Sequence, residues 1–383
     1  MLQRGHWIDR IERAWQRRSV VWLHGVRRVG KTTLCRSLDG VEYFDCDLLS
    51  VRERLRDPES FWSDQREQRR VVLDEIHHAP DPSLVLKTAA DHFPETRVIA
   101  TGSSTLAATA KFSDSLTGRK TDIWLTPMVS EDLAAFGGTL DRRLWQGGLP
   151  SFYLGERDEI GRDFSEWVSS YWARDVQELF RIQQRPAFVR FVELVLATSG
   201  GMFEATAFAE ACEVSRTTIQ NYLEVLQVTG VASVVRPYSS RRTTEIVSAP
   251  KVYGFDTGFV RHASGWRDPR PEDWGTLWEH YVLNEIQAHC PDVELKYWRQ
   301  KRGPEVDFVL ERRGLPPMAI ECKWRSSSAR DLPGLRAFRA HYPEGEDLVV
   351  CSDLEGGQTR RLGERSITLV GVQGLLDALR IAC

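Results

Sequence analysis

Short apolar runs alternate with longer polar segments through the first third of the chain. Val21-Trp-Leu, Val71-Val-Leu and Val98-Ile-Ala each hold three consecutive apolar residues and end in small or acidic ones, which reads as short buried strands. A further strand, Tyr43-Phe-Asp-Cys-Asp47, is acidic, with Cys46 interrupting it. The period then lengthens. Ile160 to Phe180 and Ala187 to Thr198 read as helices, the second with Phe188, Phe191, Val192 and Val195 on a broad apolar face. Phe203 to Leu223 holds two short helices separated by Glu213-Val-Ser215, with Ser215 as N-cap of the second. That is helix-turn-helix spacing, and Gly230 to Arg242 follows as a strand and basic turn, as in a winged helix. Beyond it, Trp274 to Ile286 predicts a helix with Leu277, Tyr281, Val282 and Ile286 inward, before three strands at Glu294 to Arg299, Glu305 to Glu311 and Met318 to Trp324. Alternation sets Val306, Phe308 and Leu310 against Glu305, Asp307 and Val309, and Ile320, Cys322 and Trp324 against Glu321 and Lys323.

A chain of 383 residues exceeds one ordinary core, and three domains are expected, at about 1–130, 131–250 and 251–383. With 42% hydrophobic and 27% charged residues it is globular rather than disordered. A net charge of −3 excludes a uniformly basic coat, leaving local basic clusters at Arg10 to Arg18, Arg236 to Arg242 and Lys296 to Arg302. Seven scattered cysteines, at 35, 46, 212, 290, 322, 351 and 383, offer no metal-ligand spacing, and together with the absence of a signal sequence they predict a reduced, cytoplasmic protein. No apolar run is long enough for a membrane span.

Gly25-x-x-x-x-Gly30-Lys31-Thr32 stands between an apolar strand and a helix, the context a P-loop requires. Gly25 and Gly30 let the backbone curl so that its amides, through Arg28, Val29 and Thr33, face phosphate oxygens. Lys31 then reaches the β- and γ-phosphates and the Thr32 hydroxyl ligates Mg²⁺. The pattern predicts a nucleoside triphosphate. Asp74 and Glu75 end the next apolar strand as a Walker B pair, Asp74 for the Mg²⁺ shell and Glu75 to polarise the attacking water. The strand ending in Gly102-Ser103-Ser104 suits a γ-phosphate sensor, with Ser104 as the contact. Arg119 is a candidate arginine finger for a neighbouring subunit, the alternative being a bond to a carboxylate of its own chain. In the last region, strand alternation can gather Asp307, Glu321 and Lys323 on one face. Two carboxylates there would bind Mg²⁺ while the ammonium positions a hydrolytic water beside a phosphodiester. Either Glu279 or Glu285 would complete the set, but not both, since they lie on different faces of their helix.

Taken in order, the P-loop, Val71-Val-Leu-Asp-Glu-Ile76, Thr101-Gly-Ser-Ser104, Ser115-Leu-Thr-Gly-Arg119 and Leu125-Thr-Pro-Met-Val-Ser-Glu131 resemble bacterial and archaeal AAA-type ATPases. More specifically, they resemble those carrying a C-terminal domain of unknown function with a restriction-endonuclease-like fold. The likeness continues through Gly147-Gly-Leu-Pro150, Tyr171-Trp-Ala-Arg174-Asp175 and Pro250 to Gly258, reaching Glu305-Val-Asp307, so it covers most of the chain. Val129 departs from it, standing where a small polar residue is more usual. The resemblance implies an α/β chain: a doubly wound P-loop AAA-type core, a helical lid and winged helix, and a restriction-endonuclease-like α/β domain. It also implies ATP in preference to GTP, and nucleotide sites completed by a neighbour in a homo-oligomeric ring, a hexamer. Asp307 followed by Glu321-Cys-Lys323 is similar to the PD-(D/E)xK nucleases.

These readings converge on an ATP-driven ring acting on DNA in repair or recombination, with the C-terminal domain binding or cutting it. Arg216, Thr217, Gln220 and Asn221 would then face DNA, and Arg241 and Arg242 its phosphates. Arg174 and Asp175 are expected to pair with each other, buried in the lid, the alternative being that Arg174 senses the nucleotide from above. The competing expectation is an ATP-controlled regulatory switch whose nuclease-like domain is inert.

Overall fold

The computed structural model describes residues 3–65, 67, 69–102, 110–155, 160–180, 182, 184–239, 248–268, 270–300, 303–311, 314–363 and 365–382. Val20–His24 (β1), Glu42–Asp45 (β2), Arg70–Asp74 (β3), Arg97–Thr101 (β4) and Lys120–Trp124 (β5) form a parallel sheet ordered β2-β3-β4-β1-β5. Strands covered on both faces need apolar side chains in both directions, which is why they appear as runs. Val21 and Leu23 pack with Trp7 and Ile11 of the helix Gly5–Trp15, while Val20 and Trp22 pack with Trp62, Leu86 and Phe112. The loops after β1 and β3 open at one edge, the carboxyl end where ligands bind in such sheets.

A nine-stranded sheet follows, built from Gly201–Met202 (β6), Ala232–Pro237 (β7), Lys251–Gly254 (β8), Leu295–Arg299 (β9), Glu305–Leu310 (β10), Met318–Lys323 (β11), Asp347–Cys351 (β12), Gln358–Leu362 (β13) and Arg365–Val370 (β14). Its order is β13-β14-β12-β11-β10-β9-β7-β8-β6. Parallel pairing of Arg236 with Lys296 and Pro237 with Tyr297 joins the strands of the middle region to those that follow. β8 pairs with β6 and β7, so the middle region's strands run on past residue 250.

Two expectations about this sheet need correction. A β-bulge interrupts the β9–β10 register between Val306 and Val309. One extra residue turns Val306 to the face of Val309, under the helix Pro333–His341, away from Phe308 and Leu310. Lys296, read as part of a basic surface cluster, is buried at 2% exposure and pairs with Glu311 at 2.6 Å.

The helices fall close to their sequence pattern. Ile160–Tyr171 is α-helical, Trp172–Val176 widens into a π-helical turn, and Gln177–Phe180 resumes the α-helix. Ala205–Cys212 and Arg216–Val228 make the helix-turn-helix, with the Ser215 hydroxyl accepting from the Thr218 amide at 3.0 Å. Leu277, Tyr281, Val282 and Ile286 are all buried in the helix Pro271–His289.

A buried polar knot ties residues 143–148 to residues 256–258. Asp256 accepts from the amides of Gly148 at 2.6 Å and Gly258 at 2.9 Å, and lies 3.9 Å from the guanidinium of buried Arg143. Arg143 donates in turn to the Met128 carbonyl and the Thr257 hydroxyl. Three glycines make room: a Cβ at 147 would sit 2.2 Å from Asp256, one at 148 would sit 2.2 Å from Arg143, and one at 258 would sit 2.4 Å from the Gln146 carbonyl. Five cysteines are free thiols, but Cys290 is disulfide-bonded, contrary to the wholly reduced chain expected.

Candidate functional site

Between β1 and the helix Lys31–Arg36 the backbone turns through positive φ at Gly25 (151°), Arg28 (64°) and Gly30 (100°). Only glycine adopts such angles cheaply, and Arg28 holds a left-handed conformation despite its side chain. A Cβ at 25 would lie 2.4 Å from the Leu125 carbonyl, so this loop also requires glycine for space. Lys31 Nζ rests on the carbonyl of Gly25 at 2.9 Å, inside the curl where a phosphate would sit. Burial lowers its pKa, opposed by the carboxylates of Glu75 and Asp175.

Asp74 ends β3, 3% exposed, and is surrounded by hydroxyls. Thr32 Oγ1 donates to it at 2.8 Å, and Tyr43 and Thr101 bind its two oxygens in short hydrogen bonds. Placing the Thr32 hydroxyl against an aspartate oxygen is the spacing that two groups sharing a Mg²⁺ hydration shell require, so the residues present fit that ion. Glu75 follows in a left-handed conformation at φ 54°, its amide donating to Thr101 at 3.0 Å. Such strain concentrates at functional sites. Burial pushes the Glu75 carboxyl up, but hydrogen bonding to His77, with the charges of Lys31 and Arg27, outweighs this and holds it at about 2.

Lys31, Glu75 and His77 line a cavity of about 790 Å³ with Gly25, Arg28, Gly30, Thr32 and Thr33 on one wall. Its volume suits a nucleotide. Val29, one of the expected phosphate-loop positions, is fully buried beneath the loop. The opposite wall comes from the helical region that follows the parallel sheet: Pro150, Ser151, Arg174 and Asp175. Arg174 and Asp175 do not pair with each other. Asp175 bonds Arg27 of the P-loop at 3.1 Å, and Arg174 stands exposed on the cavity. Both ride on the π-helical turn, a distortion that recurs at functional sites. Ser103 and Ser104 lie outside the described residues. Arg119 lies off the cavity, in a bidentate pair with Asp91 at 2.6 and 3.0 Å, which is the own-chain alternative.

Models of known families match three stretches of the chain. An AAA domain matches residues 17–133, and two domains of unknown function match residues 137–270 (DUF8612) and 274–369 (DUF4143). The chain contains an AAA ATPase domain. Uncharacterized proteins of Mycobacterium tuberculosis and Mycobacterium bovis are each 28% identical over 327 residues, covering 82% of this chain and 73% of theirs. Among solved structures, the Walker-type ATPase of Pyrococcus abyssi aligns over 69% of this chain and 96% of its own, at 13% identity and a TM-score of 0.44. Cdc6p of Pyrobaculum aerophilum aligns over 67% of this chain and 90% of its own, at 13% identity and a TM-score of 0.28. Neither likeness is close enough to bear on activity. The AAA ATPase domain supplies the ATP-hydrolysing fold, and the P-loop and Asp74 lie within it.

A second constellation lies around β10 and β11. Asp307 accepts from the Cys322 amide at 2.7 Å, and Glu321 pairs with Lys323 at 2.7 Å. Glu279 is the helical carboxylate beside them: Tyr253 donates to it at 2.6 Å, and Lys251 lies 3.5 Å from it and 2.9 Å from Glu305. Glu285 lies elsewhere, accepting from the Ser130 amide at 2.7 Å. Burial raises the Asp307 carboxyl well above the usual range, reinforced by Glu321 and Glu279. Burial raises Glu321 as well, against the pull of Lys323. Glu321 Oε2 is buried without a hydrogen-bond partner, an orphaned acceptor that a divalent cation would satisfy. Sequence reasoning missed Lys251 and Tyr253 here, and Arg27, Tyr43 and His77 at the nucleotide cavity.

The four helix-turn-helix residues Arg216, Thr217, Gln220 and Asn221 are all exposed. Arg241 and Arg242 lie outside the described residues. No helix among the described residues is long and apolar enough to cross a membrane.

Proposed function

We propose that this protein hydrolyses ATP in the cavity between the P-loop and the lid and uses the energy to move or remodel DNA. One observation carries the reading: Thr32, bonded to buried Asp74 behind it, and Glu75 line a cavity whose far wall, Arg174 and Asp175, belongs to the lid. A γ-phosphate held by Lys31 would attract Arg174 and compete with Asp175 for Arg27, so binding and hydrolysis would change how the lid closes. Glu75, ionised at neutral pH, would polarise the attacking water. Mg²⁺ at Thr32 and Asp74 would neutralise charge on the phosphates.

The reading extends to DNA through the exposed helix-turn-helix face and a cleft lined by Arg10, Arg13, Arg17, Arg18, Lys120 and Arg380. Asp307, Glu321 and Lys323, with Glu279, would bind Mg²⁺ and cut or grip the phosphodiester backbone in repair or recombination. A hexameric ring would let Arg119 exchange Asp91 for a neighbour's nucleotide. A regulatory switch with an inert nuclease-like domain is the second reading, favoured by the pressure on Asp307 to stay protonated.

The test measures ATP turnover and Mg²⁺- or Mn²⁺-dependent cleavage together over linear, single-stranded and branched DNA. Stimulated turnover supports the motor. An unchanged rate on every DNA sinks it, and cleavage absent from wild type as well as from Asp307→Ala and Lys323→Ala favours the switch.

A further inference from the structure

His6 begins the second position of the N-terminal helix, Glu131 lies in the first turn of the helix Ser130–Ala135, and His289 closes the helix Pro271–His289. Far apart in sequence, they meet where the AAA ATPase domain abuts the C-terminal region. Glu131 Oε1 lies 2.9 Å from His289 Nε2 and 3.7 Å from His6 Nδ1, and the two imidazole centroids are 4.5 Å apart. Among the described residues this is the single group of three metal-ligating side chains whose donor atoms all lie within 4.8 Å of one another.

We propose that His6, Glu131 and His289 bind a divalent transition-metal ion of the Zn²⁺ class, which fastens the N-terminal helix to the end of the C-terminal region's longest helix. Two imidazoles and a carboxylate form a donor set suited to Zn²⁺, one that leaves a fourth position for water. Bonds of about 2.0–2.1 Å at tetrahedral angles place neighbouring donor atoms roughly 3.3 Å apart. The observed 2.9 and 3.7 Å straddle that spacing, and all the donor atoms lie within 4.8 Å of one another, near enough for one ion to draw them together.

The surroundings support the ligands. His289 Nδ1 lies 2.9 Å from the Glu285 carbonyl, which fixes the proton there and leaves the Nε2 lone pair for the metal. His6 Nε2 is buried with no hydrogen-bond partner, and a flip of the ring would offer that nitrogen instead of Nδ1. The nearby guanidiniums are engaged elsewhere, Arg10 with the Ala288 carbonyl and Arg4 with Asp132. Access is open: all three ligands line a cleft of about 1080 Å³. The ion would be separate from any Mg²⁺ at Thr32 and Asp74 or at Asp307 and Glu321.

Metal-stripped full-length protein, equilibrated with Zn²⁺ against a chromophoric chelator, tests this. Wild type should take up one tight equivalent, and His6→Ala, His289→Ala and Glu131→Gln should each weaken it at least about 100-fold. Asp307→Ala should leave uptake intact. Co²⁺ bound to wild type should show the intense visible absorption of a four-coordinate site, absent in Glu131→Gln, a near-isosteric change that keeps a hydrogen-bonding group beside His289. Equal uptake by wild type and the His6→Ala/His289→Ala double variant would overturn the proposal. So would loss of tight Zn²⁺ in Asp307→Ala with retention in Glu131→Gln, or a Co²⁺ spectrum no stronger than that of the hydrated ion.

Discussion

Replacing Asp256 with alanine should damage this protein more than any surface change. The substitution removes the acceptor for the amides of Gly148 and Gly258 and strips buried Arg143 of its nearest carboxylate. Breaking a buried charge pair from one side costs about 3–5 kcal/mol, because the remaining charge is left uncompensated. The side chains of Arg143 and Asp256 are each 1% exposed, so water offers little relief. Asp256→Asn loses the charge and one of two acceptor oxygens, leaving one backbone amide facing the new NH2 group, and should cost about 1–3 kcal/mol. For a melting unit of 150–250 residues, 3–5 kcal/mol lowers Tm by roughly 6–20 °C. Thermal unfolding followed by circular dichroism measures the shift, and hydrogen exchange at the Gly148 amide shows whether the knot has opened. A loss below about 1 kcal/mol in Asp256→Ala, with the Gly148 amide still protected, would refute the reasoning.

Further outcomes follow from the nucleotide cavity and the carboxylate cluster. Arg174→Ala should weaken ATP binding by about 1.5–3 kcal/mol, roughly 10- to 150-fold, as read by equilibrium titration, because its guanidinium would lose a charge-assisted bond to phosphate. Glu75, held at about 2 against an ordinary 4.5, contributes stability that is fully present above pH 4.5 and lost as pH falls through about 2. Its ionised form would therefore persist across pH 5–8, so kcat should show no acid limb from this group, whereas His77→Ala should move such a limb upward. Glu279→Gln removes one negative neighbour from Asp307 and should weaken Mn²⁺ binding at that cluster about 10- to 100-fold, measured by titration with Lys31→Ala as background.

Much of the nucleotide cavity was legible because its residues are consecutive. Gly25 to Thr33 and Asp74-Glu75 carry their own strand context, and burial on both faces of the sheet marks those strands as apolar runs. The far wall was not legible, since Arg27 and Asp175 meet across 148 positions and nothing local announces the contact. The same holds for Gly147 and Gly148, which make room for buried Asp256 and Arg143, and for Gly258, which faces the Gln146 carbonyl. At β10 the period-two pattern failed for Val306, because one inserted residue in a bulge leaves no trace in composition. Helix periodicity separated Glu279 from Glu285 but could not choose between them; contacts to Lys251 and Tyr253, on a different strand, place Glu279 beside Glu305 and the β10–β11 cluster.

The most direct test of the central claim is single-turnover hydrolysis of radiolabelled ATP by wild type, Glu75→Gln and Lys31→Ala. Wild type should release phosphate. Glu75→Gln should hold stoichiometric ATP and release phosphate about 10²- to 10⁴-fold more slowly, and Lys31→Ala should retain no ATP. Phosphate release by Glu75→Gln at the wild-type rate would contradict the account.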